Sequence, residues 1–369
     1  MNILFGENIQ CAPDWERILT PLQKFNMLRR TFVLNEPGYN ESMAVIEKFK
    51  PDVIFYEWSQ RASAGNVMET IRDIKKRFGV PVMGIVDWGE LEMQDDPRQL
   101  EFTNSCDLIA TDTVLGRDFY PYQSKIRVPV HYLGADDWGP EYAPFHYFGD
   151  DTPFERFFNE KEGKSIFMAK CQWDRESPEL KDYTYRFVPI EERKKLWGTM
   201  WHVRPELKMD DKFKMMNKLG ITHKCRWFCG WSANTIGQMN RVAEEHKVRP
   251  EAYEPYEYTI IEYWEQLSEC MCTVDNYYWG SCRMGMEAAA LKIPLIGTYS
   301  VTAAAIFNPD LVCDLHDIDK QCEHVRRLLD NPDEAKRMGE KAHKNFCEQY
   351  SLENKQKRFL GMLEKVGVK

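Results

Sequence analysis

Residues 271–298 carry the feature that most restricts the fold, two short apolar runs separated by a loop and an alanine-rich stretch. Residues 271–274 predict a buried strand, and the polar, aromatic and glycine-bearing residues 275–283 predict a loop. Residues 284–291 are rich in Ala and Met, which favour helix, and residues 293–296 predict the next strand. Strand, loop, helix and strand in this order predict a βαβ unit.

One carboxylate interrupts this unit. Glu287 lies about one turn into the predicted helix, directly before three alanines. On a packing helix such a side chain either faces solvent or points at a ligand, and both alternatives stay open. Residues 280–284 precede it at a place where backbone N–H groups of a helix start can hold phosphate.

The rest of the chain repeats the alternation of apolar runs with helical stretches, among them an amphipathic helix predicted at 67–78. Further predicted strands lie at 2–5, 52–56, 80–86, 107–111, 126–133, 165–169, 225–229 and 311–315. Residues 171–215 are charged and Trp-rich without a clean period, and we expect helix with an irregular insertion there. Strands that alternate with helices predict parallel, doubly wound sheets. We therefore expect an α/β protein with two Rossmann-like doubly wound domains facing across a cleft.

The domain boundary is predicted from a shift in composition. Residues 139–155 are rich in Pro, Gly, Asp and aromatic residues, as is typical of a linker. We expect an N-terminal domain over 1–145 and a C-terminal domain over 150–349. An amphipathic helix at about 350–369, for which Ser351 is the predicted N-cap, is expected to pack back on the first domain.

Charge and cysteine usage restrict the partners and the compartment. The net charge of −9 disfavours nucleic acid as a partner, although DNA stays possible. A run of about 18 apolar residues is absent from the sequence, so we expect no membrane span. Eleven scattered cysteines suit a reducing compartment, and we expect a cytoplasmic protein.

Ligands of open parallel sheets bind at the carboxyl ends of the strands, so residues near those ends are the site candidates. They are glycines, cations, acids and tryptophans with their loop neighbours: Gly6, Trp58, Asp87, Trp88, Lys170, Arg175, Gly230, Trp231, Gly280, Ser281, Cys282, Arg283, Met284 and Glu287. Glycines admit phosphate, cations neutralise a diphosphate leaving group, and Trp58 and Trp88 offer faces to an acceptor sugar. The set indicates transfer from a nucleotide-linked donor. Packing, capping and surface pairing stay open as structural alternatives for each residue.

Neither a Ser-His-Asp arrangement nor an HExxH pattern occurs in the sequence, and the eight histidines form no cluster. We therefore expect neither a protein nucleophile nor a metal. Helix starts and cations can replace the metal at a leaving diphosphate. The nucleotide-sugar is expected as a co-substrate, and no cofactor is expected.

Several stretches, in the right order, resemble retaining glycosyltransferases of the GT-B fold, of the family-4 type. The most specific is 285–298, which reads GMEAAALKIPLIGT and resembles the family pattern lEAmA.G.PvIgt. Weaker matches lie at 106–113, 132–136, 226–230 and 346–363. The resemblance covers most of the chain and is strongest over 220–365.

The resemblance implies a hexosyltransferase that moves a sugar with retention from a UDP-linked donor. Glu287 would bind the donor ribose, and residues 280–284 would offer backbone amides to the sugar and diphosphate. Lys170 or Arg175 would hold the diphosphate. Gly6 would lie near donor and acceptor, and Asp87 is the catalytic candidate near the transferred sugar. The acceptor is expected to be a carbohydrate or glycoconjugate, with a modified DNA base less favoured.

Two departures from the family pattern keep other functions open. Trp279 stands where the family often has a second acid, and Lys292 stands where it usually has glycine. One alternative is a nucleotide-sugar 2-epimerase of the same fold, with Asp87, Glu90 or His131 as acid–base candidates. The other alternative, suggested by Trp279, is a catalytically silent protein that binds a nucleotide-sugar.

Overall fold

The computed structural model describes the chain in segments, which belong to two compact units. The described residues are 1–7, 22, 27, 30–35, 39–57, 67–86, 97–111, 125–132, 190–201, 210–220, 224–227, 241–248, 251–253, 267–275, 283–299, 302–314 and 316–368. Those at 1–132 and 350–368 belong to the first unit, and those at 190–349 belong to the second.

Strands and helices alternate in both units. The first part of the chain contains β1 (Asn2–Glu7), β2 (Arg30–Asn35), α1 (Tyr39–Phe49), β3 (Val53–Glu57), α2 (Val67–Phe78), β4 (Val82–Val86), α3 (Pro97–Ser105), β5 (Leu108–Thr111) and β6 (Val130–Tyr132). The second part contains β7 (Lys194–Trp201), α4 (Asp210–Leu219), β8 (Lys224–Trp227), β9 (Glu251–Tyr253), β10 (Cys270–Asp275), α5 (Arg283–Ala290), β11 (Leu295–Thr298), α6 (Thr302–Phe307), β12 (Val312–Cys313), α7 (Ile318–Asp330), α8 (Pro332–Tyr350) and α9 (Leu352–Lys365).

Among the described residues, the first sheet has six strands in the order β2-β1-β3-β4-β5-β6, and every pairing is parallel. Side chains alternate between its two faces, as the pleat of a strand requires. Phe5 and Phe55 lie on one face together with Phe359 of α9. Leu4 and Ile54 lie on the other face, which α1, α2 and α3 cover. The last helix thus completes one of the two cores of the first unit.

The cap of α9 follows from its sequence. Ser351 precedes the helix, and its Oγ accepts a hydrogen bond from the backbone N–H of Asn354 at 3.4 Å. This bond satisfies one of the N–H groups that a helix start leaves without an intrahelical partner. The predicted N-cap is confirmed.

The second sheet also has six parallel strands, in the order β12-β11-β10-β7-β8-β9. Counted from its own first strand, this is the order 6-5-4-1-2-3 of a doubly wound dinucleotide-binding sheet. Apolar side chains of α4, α7 and α8 pack with β10 and β11 in one core, which includes Phe213, Val274, Ile296, Leu328 and Met338.

The predicted fold class, α/β with two doubly wound parallel sheets, is confirmed. The βαβ unit is present as β10, α5 and β11, and helix 67–78 has the predicted bounds. Strand β2 was missing from the sequence prediction. The strand predicted at 165–169 lies outside the described residues.

The largest correction concerns residues 171–215. Strand β7 lies inside this stretch and occupies a central place in the second sheet, so the stretch supplies more than an irregular insertion. Its sequence, KKLWGTMW, begins with two lysines and contains a glycine. Such a strand lacks the continuous apolar run by which buried parallel strands are recognised.

Among the helices that the structure describes, none combines the length and the apolar character that are needed to cross a lipid bilayer.

One buried histidine makes the stability of the second unit depend on pH. His324 of α7 is 3% exposed, and neither ring nitrogen has a hydrogen-bond partner among the described residues. Burial, with help from the nearby Lys320 and Arg327, lowers the pKa of His324 below its ordinary value of 6.5. The unfolded chain therefore takes up this proton at a higher pH than the folded chain. The contribution of His324 to the free energy of unfolding is therefore complete above about pH 6.5, and it is lost as the pH falls toward the lowered pKa.

We expect His324→Leu to raise the free energy of unfolding by about 1–3 kcal/mol, because it removes unsatisfied buried polar groups. The gain should be larger at pH 5 than at pH 8, and urea titrations at both values measure it. Lys344→Gln, an exposed exchange on α8, serves as the control. Equal changes in stability for both variants at both pH values would contradict this interpretation.

Candidate functional site

The order of the strands places one switch point in each sheet. In the first sheet β1 lies between β2 and β3, and in the second sheet β7 lies between β8 and β10. Ligands of doubly wound sheets bind outside the carboxyl ends of the strands at such points. The described residues that matter most therefore lie at the end of β1 and around β10, α5 and β11.

Gly6 lies near the end of β1, where it pairs in register with Tyr56 of β3. A Cβ atom at this position would meet Cε1 of Tyr56 at 2.0 Å. The Tyr56 ring is 1% exposed, and its hydroxyl contacts Ser42 Oγ at 3.3 Å. The absence of a side chain at Gly6 thus has a packing reason at this strand end, and its role toward a donor stays a prediction.

The described side chains of helix α5 are all buried. They run from Gly285 to Ala290, and Glu287 among them is only 1% exposed. The solvent-facing alternative for Glu287 is therefore wrong. A buried carboxylate carries a large desolvation cost that its surroundings have to offset. The carboxylate is thus buried, one turn from the start of the helix that connects β10 to β11.

The start of α5 faces the carboxyl edge of the sheet. The helix follows β10 and precedes β11, and these two strands are parallel neighbours, so the helix runs back against them. Its first backbone N–H groups, from Arg283 onward, have no intrahelical acceptor and are oriented for an anion. The side chains of Arg283 and Met284, and residues 280–282, lie outside the described part.

The end of α5 is closed by its own backbone. Lys292 N–H donates to the Ala289 carbonyl at 3.1 Å, and Ile293 N–H donates to the Ala288 carbonyl at 2.8 Å. These two bonds form a Schellman motif, whose residue after the cap takes the left-handed conformation. Lys292 occupies that position with φ of 56°, where glycine would be unstrained. The departure from the family pattern at Lys292 therefore keeps the geometry that the usual glycine provides.

Three groups from outside α5 hold the same turn, and we call them the α5 clamp: Arg193, Gly339 and His343. The Arg193 Nη1 atom donates to the Lys292 carbonyl at 3.1 Å. His343 Nδ1 lies 3.1 Å from the carbonyl oxygens of both Ala289 and Ala290. Gly339 brings α8 so near that an added Cβ would lie 2.1 Å from the Lys292 oxygen.

The His343 ring is held in one protonation state by this arrangement. Nδ1 has to carry the hydrogen that it donates to the helix carbonyls, and Nε2 lies 3.6 Å from the Cys347 thiol. Burial lowers the pKa of His343, against the opposing effect of the carbonyl hydrogen bonds. A neutral imidazole thus joins α8 to the end of α5.

The same helix also holds the start of β11. Asn308 is buried, its Nδ2 donates to the Met338 carbonyl at 3.0 Å, and its Oδ1 accepts from the Leu295 N–H at 2.9 Å. Helix α8 thereby fixes both α5 and the strand that follows it. The position of Glu287 is therefore determined by contacts at the C-terminal end of α5, away from the start of the helix.

The topology changes the interpretation of the candidate cations. Lys170 and Arg175 were chosen because they follow a strand predicted at 165–169, but β7 is the first strand of the second sheet that the structure describes. The chain that leaves β7 at the switch point is 202–209, which contains Arg204 and Lys208. Sequence reasoning missed them because it missed β7. All four cations lie outside the described residues.

The remaining candidates also lie outside the described part of the chain. These are Trp58, Asp87, Trp88, Gly230, Trp231, Gly280, Ser281 and Cys282. In sequence, Trp58 follows the end of β3 directly, and Asp87 and Trp88 follow β4. Within the described residues, no group of three or more His, Cys, Asp or Glu side chains is placed to hold a metal ion.

His131, an acid–base candidate for the epimerase alternative, is engaged at both ring nitrogens. Nε2 donates to the Arg358 carbonyl at 2.9 Å, and Nδ1 lies 2.9 Å from the Lys365 ammonium, which can only donate. Burial, reinforced by Lys365, lowers the pKa of His131. This histidine therefore fastens α9 to β6.

We expect Gly339→Ala to destabilise the protein by about 1–3 kcal/mol, because the added methyl group would overlap a backbone carbonyl that Arg193 and the Schellman turn hold in place. Gly361→Ala is the control, since a Cβ at Gly361 of α9 has no neighbour within 4 Å. Thermal unfolding of both variants measures the difference. A Gly339→Ala protein as stable as the Gly361→Ala protein would contradict the close approach of α8 to α5.

The complete chain is similar to solved structures of nucleotide-sugar enzymes. HepE of Anabaena in complex with UDP superposes with a TM-score of 0.60 at 9% identity, over 99% of this chain and 100% of that chain. A UDP-forming α,α-trehalose-phosphate synthase from Burkholderia xenovorans gives a TM-score of 0.62 at 10% identity, over 100% and 99%. TarM gives 0.53 at 13% identity, over 88% and 58%.

These likenesses show the fold, which is that of the GT-B glycosyltransferases. No protein-family model matches the sequence, and no curated protein matches it. HepE has been crystallised with UDP and also with UDP-glucose. HepE thus binds UDP and UDP-glucose on a fold that matches 99% of this chain.

Proposed function

We propose that the protein is a retaining glycosyltransferase that moves a hexosyl group from a UDP-linked donor to an acceptor hydroxyl. The observation that carries the proposal is the buried Glu287, one turn into a helix whose start faces the carboxyl edge of a doubly wound sheet. A carboxylate there accepts hydrogen bonds from ribose hydroxyls, while the N–H groups of the same helix start receive phosphate. The fold of UDP-binding enzymes over the full chain supports the same conclusion.

In this proposal the second unit binds the donor. Glu287 holds the ribose, and the backbone amides of 280–284 contact the diphosphate and the sugar. Arg204 and Lys208, which follow β7 in the sequence, are proposed to neutralise the leaving diphosphate rather than Lys170 and Arg175. Such cations and helix starts stabilise the negative charge that develops as the sugar leaves, and no metal is then required.

In this proposal the first unit binds the acceptor. Trp58 and Trp88 follow neighbouring strands of the first sheet, β3 and β4, so their sequence positions bring them to the same edge. Aromatic faces there suit a carbohydrate acceptor, and the net charge of −9 disfavours DNA. Asp87 is proposed to contact the transferred sugar. The acceptor hydroxyl attacks from the face that the diphosphate leaves and passes its proton to a phosphate oxygen.

The epimerase alternative is not favoured, because His131 is engaged by α9 at both nitrogens. The alternative of a catalytically silent protein that binds a nucleotide-sugar still rests on Trp279, which stands where the family often has an acid. A radiolabelled UDP-glucose assay with and without simple sugar acceptors separates the two remaining functions. Transfer or slow hydrolysis supports the glycosyltransferase, whereas tight binding without any turnover supports the silent protein.

We expect Glu287→Gln to weaken UDP binding by about 10–100-fold, because hydrogen bonds to a charged carboxylate contribute about 1.5–3 kcal/mol. The amide has the same shape, so the fold should be retained. Isothermal titration calorimetry with UDP measures the change, and Glu323→Gln, an exposed exchange on α7, is the control. An unchanged affinity in a folded Glu287→Gln protein would exclude Glu287 as the ribose ligand.

A further inference from the structure

The first unit contains a cavity that the proposed function does not use. It has a volume of about 580 Å³ and lies where α2, α3 and the segment before β6 meet. Every residue that lines it belongs to the described part of the chain. Small-molecule sites in proteins measure about 300–1,000 Å³, so the cavity can hold a molecule of the size of a sugar phosphate.

The polar end of this cavity lies at the amino edge of the first sheet. Helix α3 ends directly before β5 begins, and the segment 125–128 leads into β6, so both reach the cavity at that edge. The predicted acceptor residues Trp58 and Trp88 follow, in sequence, the carboxyl ends of β3 and β4, which lie at the other edge. A ligand of the cavity is therefore additional to the donor and the acceptor.

Positive charge dominates the lining of the cavity. Arg72, Lys75 and Arg127 line it together with one carboxylate, that of Glu101. This balance is the reverse of that of the whole chain, whose net charge is −9. Cations that share a cavity repel one another, and a bound anion offsets the repulsion. The lining thus favours a negatively charged ligand.

Two of the three cations already have carboxylate partners. Lys75 Nζ lies 2.7 Å from Asp107 Oδ1 and donates to the Ser105 carbonyl at 3.2 Å, so the ammonium is fixed in the wall. Arg72 Nη2 pairs with Glu101 Oε1 at 2.6 Å, but both side chains are about half exposed, and such pairs contribute little to stability. Arg72 can therefore exchange Glu101 for a bound anion at small cost.

The third cation, Arg127, is held by its backbone. Asn104 Oδ1 accepts from the Arg127 N–H at 2.7 Å, and Asn104 Nδ2 donates to the Lys125 carbonyl at 3.1 Å. Among the described residues, no hydrogen bond or ion pair reaches the Arg127 guanidinium. The helix dipole gives Lys75, in the last turn of α2, a structural reason, but Arg127 lies outside the helices. Its guanidinium is the group that the fold leaves for a ligand.

The other lining groups indicate what the ligand carries besides its charge. A guanidinium binds phosphate through two parallel N–H donors. Glu101 has a second carboxylate oxygen beyond the one that Arg72 engages, and Ser105 Oγ, which donates to the Glu101 carbonyl at 2.8 Å, keeps its acceptor lone pairs. Both groups accept hydrogen bonds from hydroxyls. Leu100 adds an apolar surface to the same wall, which suits the carbon face of a sugar.

We propose that this cavity is a second ligand site, which binds a small phosphorylated molecule with hydroxyl groups, such as a sugar phosphate. Arg127 and Arg72 hold the phosphate, with Lys75 beside them, and Glu101 selects for hydroxyl groups. The site consists of residues of the first unit alone, and it is independent of the proposed function.

Calorimetry with inorganic phosphate and with fructose 6-phosphate tests the site in the wild type, Arg127→Gln and Arg77→Gln. Arg77→Gln is the matched control, because it removes the same charge from α2 outside the cavity, where Arg77 pairs with Glu47. We expect about 10-fold weaker binding of both probes in Arg127→Gln, since hydrogen bonds between charged groups are the strong ones, and wild-type affinity in Arg77→Gln. Equal losses in the two variants, or no binding by the wild type, overturn the proposal.

A second variant, Glu101→Gln, should separate the two probes. Loss of the carboxylate charge releases Arg72, so we expect inorganic phosphate to bind about 3-fold more tightly. The same exchange weakens an acceptor of hydroxyl hydrogen bonds, so the preference of the site for fructose 6-phosphate over inorganic phosphate should fall. A preference that stays the same in Glu101→Gln would overturn the assignment of a sugar phosphate.

Hydrogen–deuterium exchange with and without fructose 6-phosphate locates the bound probe. We expect slower exchange in the peptides that cover 97–107 and 125–130, and no change at 280–290. Protection confined to 280–290 would place the probe at the predicted donor site and overturn the proposal. UDP is absent from these measurements, so a failure of the proposed function does not affect their outcome.

Vesicles of phosphatidylcholine and phosphatidic acid test the other source of a phosphate group, a lipid. We expect wild type and Arg127→Gln to sediment with them to the same extent. Vesicle binding that requires Arg127, without binding of fructose 6-phosphate, would overturn the proposal of a soluble ligand.

Discussion

The α5 clamp is the constraint on which the candidate site depends. Helix ends leave carbonyl groups without intrahelical partners, and in α5 these are met by the Schellman turn, His343 and Arg193. Gly339 lets the backbone of α8 approach the same turn without a side chain between them. Because α5 has only eight residues, fixing its end also fixes its start. The position of Glu287, one turn from that start, thus follows from contacts made at the far end of the helix.

The arrangement also explains why a carboxylate occurs in an alanine-rich, buried helix. An apolar residue at Glu287 would pack at lower cost, since burying a charge requires partners that an aliphatic side chain does not need. Small neighbours allow α5 to pack against β10 and β11, and the carboxylate is buried with them. Packing fixes the position of the carboxylate, and the carboxylate oxygens can accept hydrogen bonds from hydroxyl groups.

The sequence predicted the parts of the structure whose pattern is local. The βαβ unit around Glu287, the helix at 67–78 and the Ser351 cap depend on apolar spacing and on one side chain each, and all three are confirmed. Strand β7 was missed because two lysines and a glycine interrupt its apolar pattern. Its place in the sheet is set by pairing with β10 and β8, which a local pattern does not show. Because β7 was missed, the diphosphate-binding cations were expected after the strand predicted at 165–169, as Lys170 and Arg175. The contact of His343 with the Ala289 carbonyl joins residues more than fifty positions apart, which no local pattern reveals.

The central claim is that the start of α5 and Glu287 receive the nucleotide. The most direct measurement is hydrogen–deuterium exchange of the wild-type protein with and without saturating UDP, since bound phosphate protects the amides to which it is hydrogen-bonded. We predict slower exchange in the peptides that cover 280–290, whereas peptides of α9 stay unchanged. Protection by UDP that leaves 280–290 unaffected would contradict the claim.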